Sequence, residues 1–205
     1  MLLTYANRYS IEFACTHYHY TEKSPAGKLI GYNVYNNKEE YCGCIVFSAG
    51  GNRFLASPYN KWSGQVIELT RVALNGEQKN VSKPLSISLK LIKKDIRLLD
   101  LVVSYADANQ NHHGGIYQAT NWIYEGKFAR EKGIKIKGDI VHRRSVNAKY
   151  GTSSIGWIRE NIDPKAEVIK GKPKFKYLYP LNDKMKKKVK ELGKPYPKQE
   201  DIKTM

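Results

Sequence analysis

The chain is short of several things, and each shortage excludes something. It has three cysteines in 205 residues, Cys15, Cys42 and Cys44. So sparse and odd a set, without a CxxC pair, excludes a disulfide-stapled scaffold and points to a reducing compartment. Cys42-Gly43-Cys44 could bind metal, but alternate strand residues facing one core suit the pattern better. No apolar run approaches the length that spans a bilayer. Residues 1–5 show neither the basic start nor the apolar stretch of a signal peptide. A cytoplasmic protein with no membrane partner is the expectation. The GxxxxGK[ST] spacing of a nucleoside-triphosphate loop is absent, and so is any internal repeat.

Acidic residues are scarce as well. There are 19 Asp and Glu against 35 Lys and Arg, for a net charge of +16. The excess is uneven: residues 1–126 carry 13 basic and 10 acidic groups, residues 127–205 carry 22 and 9. A basic excess gathered in one half is the footprint of a polyanion binder. The lysine run 184–190 lacks a strong apolar face with Trp or Phe anchors, which favours nucleic acid over a membrane surface. Arg143, Arg144, Lys149, Lys186, Lys187 and Lys188 are the candidate phosphate contacts on double-stranded DNA.

Hydrophobic periodicity and turn residues predict the layout. Residues 28–36 and 40–48 read as an antiparallel hairpin, 50–64 as a loop, 65–74 as a strand and 75–83 as a loop. Pro84 fits the first turn of a helix reaching about residue 97, with Ser82 as its cap. An apolar strand follows at 100–106, then a helical pattern in which Ile116, Ala119, Ile123 and Tyr124 share a side, stopped by Gly126. Further strands are expected at 135–141 and 175–180, and a basic helix at 182–193 before a Pro-punctuated tail. Strand, helix, strand implies a parallel pair with a right-handed crossover. The expected fold is a mixed α/β sheet with helices on its faces. Residues 1–180 would form the main domain and 181–205 a basic C-terminal extension.

The densest chemistry lies in 101–126. Leu101-Val102-Val103 is a buried-strand run that ends in Ser104, Tyr105, Asp107, Asn109 and Gln110, then enters a Gly-rich loop and a helix. That is where α/β folds place their sites. Arg71 interrupts the apolar strand 65–74 and needs a partner or a ligand. Glu68, three residues away, lies on the other face, so either a bridge to Asp107 or a substrate contact is expected. His17 and His19, on an extended segment, would face one way. With Asp107 they could make a two-histidine, one-carboxylate site for a metal such as iron. Tyr117, Asn121 and Tyr124 would form a stripe on the second helix, with a tyrosine as general acid or simply packed. The loop entering the helix at Pro84 offers amides to an anion.

These stretches resemble a known family. VSYADANQNHHGGIYQATNWIYEG (103–126), ELTRVALNGEQKN (68–80), HRRSVNAKYGT (142–152) and PYPK (195–198) are similar to the Mom family of phage DNA-modification proteins. The similarity runs from about His17 to Lys198 and is most specific in GIYQATNWIYEG. It implies a GNAT acetyltransferase-like mixed sheet, an enzyme at work in a phage-infected bacterial host, and methylcarbamoylation of adenine N6 that shields DNA from restriction. It carries over Arg71, Ser104, Tyr105, Asp107, Tyr117, Tyr124 and His17 as site residues. It places an acyl-CoA-type or other activated donor between strands 65–74 and 100–106, against loop 75–83, with Leu74, Asn80, Ser82 and Asn121 as contacts. The usual Arg/Gln-x-x-Gly-x-Gly/Ala loop is replaced here by NGEQKNVSKP. The rival readings are an acetyltransferase for a protein or small amine, and a non-catalytic DNA-binding module.

Overall fold

The computed structural model describes residues 1–49 and 54–203, so the start of the expected loop 50–64 lies outside the described residues. In chain order the elements are β1 (Leu2–Tyr5), α1 (Arg8–Tyr18), β2 (Leu29–Tyr35), β3 (Tyr41–Ser48), β4 (Val66–Leu74), α2 (Ser82–Asp95) and β5 (Leu101–Asp107). Next come α3 (Gly115–Gln118), β6 (Ile123–Ile136), β7 (Asp139–Val141), α4 (Arg143–Tyr150), α5 (Ile155–Asn161), β8 (Glu167–Pro180), α6 (Asp183–Lys190) and α7 (Glu200–Lys203). The strand order is β1-β2-β3-β4-β5-β8-β6-β7. Two units divide the chain. One comprises residues 1–105, 114–126 and 176–196, the other residues 106–113, 127–175 and 197–205.

In the larger unit, β1 to β4 are antiparallel neighbours and β4 pairs with β5 in parallel. The expected hairpin and the parallel pair are thus present. Helix α1 was not foreseen in the sequence. Asn7 caps it, accepting from the Ser10 amide at 2.8 Å, and Ile11, Ala14 and Cys15 repeat on one face. They pack against Cys44, Val46 and Ala73. Helix α2 buries Leu85, Ser88, Leu89 and Ile92, the face its periodicity predicts. Its cap is a correction: Asn80 rather than Ser82 accepts from the first turn, at the Lys83 amide, 3.1 Å away.

The continuous apolar run of β5 is covered on both faces, with Leu101, Val102 and Val103 fully buried. Leu101 and Val103 share a cluster with Tyr59, Val66, Leu178, and Met185 and Val189 of α6. The basic helix therefore docks by an i, i+4 apolar pair and turns its lysines outward. All three cysteines are free and buried. Among the described residues no helix is long and apolar enough to cross a membrane.

The smaller unit has a core of its own: Ile134, Ile136, Val146, Ile158 and Ala166. β6 turns into β7 through Lys137-Gly138, both at positive φ, 51° and 95°. Ile136 faces Asp139 across the turn. A two-residue loop with both φ positive matches the right-handed twist of the strands it joins.

Candidate active site

The site begins where β4 and β5 part. Their parallel register runs only through Val66–Leu101, Ile67–Val102 and Glu68–Val103. A bulge lies on the other edge of β4. Val46 of β3 faces Arg71 while Phe47 faces Leu69, so Thr70 is an extra residue. Such a bulge bends the strand that carries it. Thr70 closes the irregularity by donating its hydroxyl to the Val46 carbonyl at 3.1 Å. Past the last paired residue, the Leu69 carbonyl is met by a side chain, Ser104 Oγ, at 2.8 Å.

Ser104 Oγ also lies 2.8 Å from the Tyr117 hydroxyl. Ser104 has one proton and the Leu69 carbonyl can only accept. When Ser104 serves Leu69, Tyr117 must donate to Ser104. Burial pushes the Tyr117 phenol up to about 12, with the Glu68 charge adding to the shift. A Ser104 proton turned toward the phenolate would offset part of it. Tyr105 follows the same logic: burial, then the charges of Glu68 and Glu125, push its hydroxyl up to about 12. Both phenols therefore stay protonated at neutral pH.

The linkage has a definite sign. A phenol whose ionisation is deferred in the folded state loses its stabilising contribution once the unfolded chain ionises. Stability should hold below pH 10 and fall between about 10 and 12 through these two groups. Denaturant midpoints measured across that window check it, and Tyr105→Phe should shallow the decline.

Around Tyr117 the rings of Trp122 and Tyr177 lie at 5.0 and 4.9 Å between centroids. Tyr124 meets Tyr177 at 5.3 Å. Tyr177 can approach because Gly114 has no side chain: a Cβ there would sit 2.3 Å from the ring. Gln118 donates to the Tyr177 hydroxyl at 3.1 Å. The Trp122 indole N–H is fully buried and has no hydrogen-bond partner among the described residues. A buried donor left without an acceptor costs about 1–3 kcal/mol.

The predicted helical stripe is corrected. Helix α3 is a single turn, Asn121 leaves it at φ 59°, and Tyr124 belongs to strand β6. Trp122, Tyr124 and Gly126 are buried while Ile123 and Glu125 are less so. That is strand alternation, which the 116–119–123–124 spacing imitates.

Arg71 was expected either to bridge Asp107 or to contact the substrate. Arg71 donates instead to the carbonyls of Thr70, at 2.7 Å, and Lys23, at 3.3 Å. Asp107, in the smaller unit, accepts from the Asn109 amide at 3.0 Å and faces Lys174 at 3.6 Å. The two-histidine, one-carboxylate arrangement does not form. His17 sits on α1, its Nδ1 2.8 Å from the Phe13 carbonyl, and His19 pairs with Thr21 at 2.8 Å. Among the described residues no three His, Cys, Asp or Glu gather to hold a metal, so the iron expectation finds no ligand set.

One cluster was missed. Lys176, 4 % exposed, pairs with Glu125 at 3.0 Å and lies over the Tyr59 ring at 5.0 Å. Tyr59 donates to the same carboxylate at 2.8 Å. The available signal was a charge inside an apolar strand, FKYLY, the criterion that singled out Arg71.

The loop after β4 bears on the donor. An open groove of about 550 Å³ is lined by Asn36, Lys38, Gln78, Lys79, Asn80 and Lys83, with Glu40 and Glu77. Its backbone is partly engaged: the Gly76 amide donates to Gln78 and the Glu77 amide to Asn75. Three lysines, Lys38, Lys79 and Lys83, supply its positive charge. Asn80 lines it, whereas Leu74 pairs with Gly43 of β3 and Asn121 is exposed on its turn. Of the basic candidates, Arg143, Arg144 and Lys149 lie on α4, and Lys186 to Lys188 on α6.

Residues 6–198 match the model of the Mom protein family. No match was found among curated proteins. A variant of spermidine N-acetyltransferase SpeG from Vibrio cholerae superposes with a TM-score of 0.51 at 8% identity, covering 93% of this chain and 99% of that one. A chimera of that enzyme with hSSAT gives 0.50 at 8% identity, covering 92% and 99%. At this identity the likeness is one of fold, and the fold is of the GNAT acetyltransferase type.

Proposed function

The chain belongs to the Mom protein family, and from that premise we propose that it is a DNA-modifying transferase acting on adenine N6, of the methylcarbamoylation type, which shields phage DNA from host restriction. The observation that carries the reading is the parting of β4 and β5 beyond Glu68 and Val103, with Ser104 and Tyr117 at the apex. An extended activated donor, acyl-CoA-like, fits between such strands, its anionic tail toward Lys38, Lys79 and Lys83. When bound, the donor supplies an electrophilic carbon.

The N6 amine is a poor nucleophile because its lone pair is delocalised into the purine ring. The site therefore acts by positioning and by donors aimed at developing charge. The bond from N6 to the donor carbon forms as the donor's bond to its leaving group breaks. Tyr117, kept protonated by burial, turns its proton from Ser104 toward the departing group, and the charge of Glu68, felt by Tyr117 and Tyr105, makes it the candidate to take the amine's proton. Half-buried Tyr105, on β5, is suited to stack on a base turned out of the helix.

The basic half would hold the phosphate backbone without reading sequence. With about 5 phosphate contacts, log affinity for duplex DNA should fall against log salt with a slope of about −4 to −5. Binding that ignores salt contradicts the assignment. The function itself is tested by nucleoside analysis of DNA from cells that express the protein. A new modified deoxyadenosine is expected. An acylated protein or small amine, with unmodified DNA, supports the acetyltransferase reading.

A further inference from the structure

We propose that the α4–α5 segment of the smaller unit carries an aromatic–cationic platform that stacks an unpaired nucleobase of the DNA strand. The inference rests on the DNA-modification reading and adds where, and by what chemistry, the strand is held. Helix α4 ends at Gly151, in the left-handed region at φ 72°, and a short turn leads to α5. Arg143 fixes that turn by donating to the Ser153 carbonyl at 3.1 Å. Val146 and Ile158 point into the unit's core. Trp157, one residue before Ile158 and so about 100° around the helix, stays 38% exposed.

Its ring lies 6.3 Å from that of Tyr150, and the Lys149 ammonium sits 5.1 Å from the Tyr150 centroid. A tryptophan, a tyrosine and a lysine thus line one exposed stretch. The surroundings are basic: residues 127–175 hold thirteen Lys and Arg against five Asp and Glu. Two of the five acids are already engaged. Asp163 accepts the Lys137 and Lys165 amides, and Glu167 pairs with Lys135 at 3.5 Å. A π-face beside cations suits single-stranded nucleic acid, because every base has a face to stack and every linkage a negative charge. An enzyme that turns out a base creates such an unpaired stretch.

The test is the affinity of the full chain for a labelled oligodeoxythymidine strand at several salt concentrations. Trp157→Ala should weaken binding on the order of 10-fold with an unchanged salt slope and melting temperature. Trp157→Phe should restore most of the affinity. Arg144→Glu with Lys149→Glu should lower the slope itself. Wild-type affinity in Trp157→Ala, alongside DNA modification by the wild type, overturns the platform and leaves the function standing. No binding of any strand and no modified nucleoside from the wild type overturns both. Undiminished oligonucleotide affinity with loss of a protein contact would make Trp157 a protein-docking residue and contradict the proposal.

Discussion

Replacing Tyr117 by phenylalanine is expected to slow transfer by about 10²–10⁴-fold while the protein stays folded, the range lost when a positioned proton donor is removed. The ring keeps its packing against Trp122 and Tyr177, and Ser104 keeps the Leu69 carbonyl. Only one buried hydrogen bond disappears, worth about 0.5–1.5 kcal/mol. Ser104→Ala should fall between wild type and Tyr117→Phe in rate, because it loosens the phenol without removing it. Single-turnover rates with saturating DNA, read beside melting curves, make the comparison. Near-wild-type rates in Tyr117→Phe would strip Tyr117 of its role as proton donor.

The second large effect is on stability. Glu125→Ala takes the carboxylate from Lys176, whose side chain is 5% exposed, and from the Tyr59 hydroxyl. Breaking a buried pair from one side costs about 3–5 kcal/mol. For a chain of this size each kcal/mol is about 2–4 °C, so the melting temperature should drop on the order of 10 °C. Glu125→Gln should lose less, since it still accepts from Tyr59. Combining Glu125→Leu with Lys176→Met should recover much of the loss, as well-packed apolar replacements of buried pairs do. A drop in the double variant as large as in Glu125→Ala would show that the pair matters for more than charge compensation.

The sheet was legible because its signals are local. The strand expected at 65–74 is β4, Val66–Leu74, and the one at 100–106 is β5, Leu101–Asp107. Their apolar runs and the Pro84 helix start need no tertiary context. Helix α1 was obscured because its apolar face is narrow, three residues among aromatic and charged neighbours. The 116–126 segment misled because apolar spacings of three and four also arise when a short turn runs into an alternating strand. Strand β8 starts at Glu167, well before the expected 175, because its first half, EVIKGKPK, alternates weakly and carries charge. The site divides in the same way. Ser104 stood out as a polar group at a buried strand's end, and Tyr117 as part of the stripe expected on the helix that follows. The Tyr59–Glu125–Lys176 cluster joins three stretches distant in sequence, so no spacing reveals it. Arg71 was noticed correctly as an unusual strand charge, but the carbonyls it meets, Thr70 and Lys23, are backbone groups that sequence does not mark.

The central claim is that this fold transfers a group to adenine in DNA through the cleft at Ser104 and Tyr117. Its most direct test is mass spectrometry of nucleosides digested from DNA of cells expressing the wild type, Tyr117→Phe or an empty vector. The account predicts a new N6-modified deoxyadenosine with the wild type, strongly reduced with Tyr117→Phe and absent with the vector. Unmodified deoxyadenosine throughout, with the wild type folded and abundant, would contradict it.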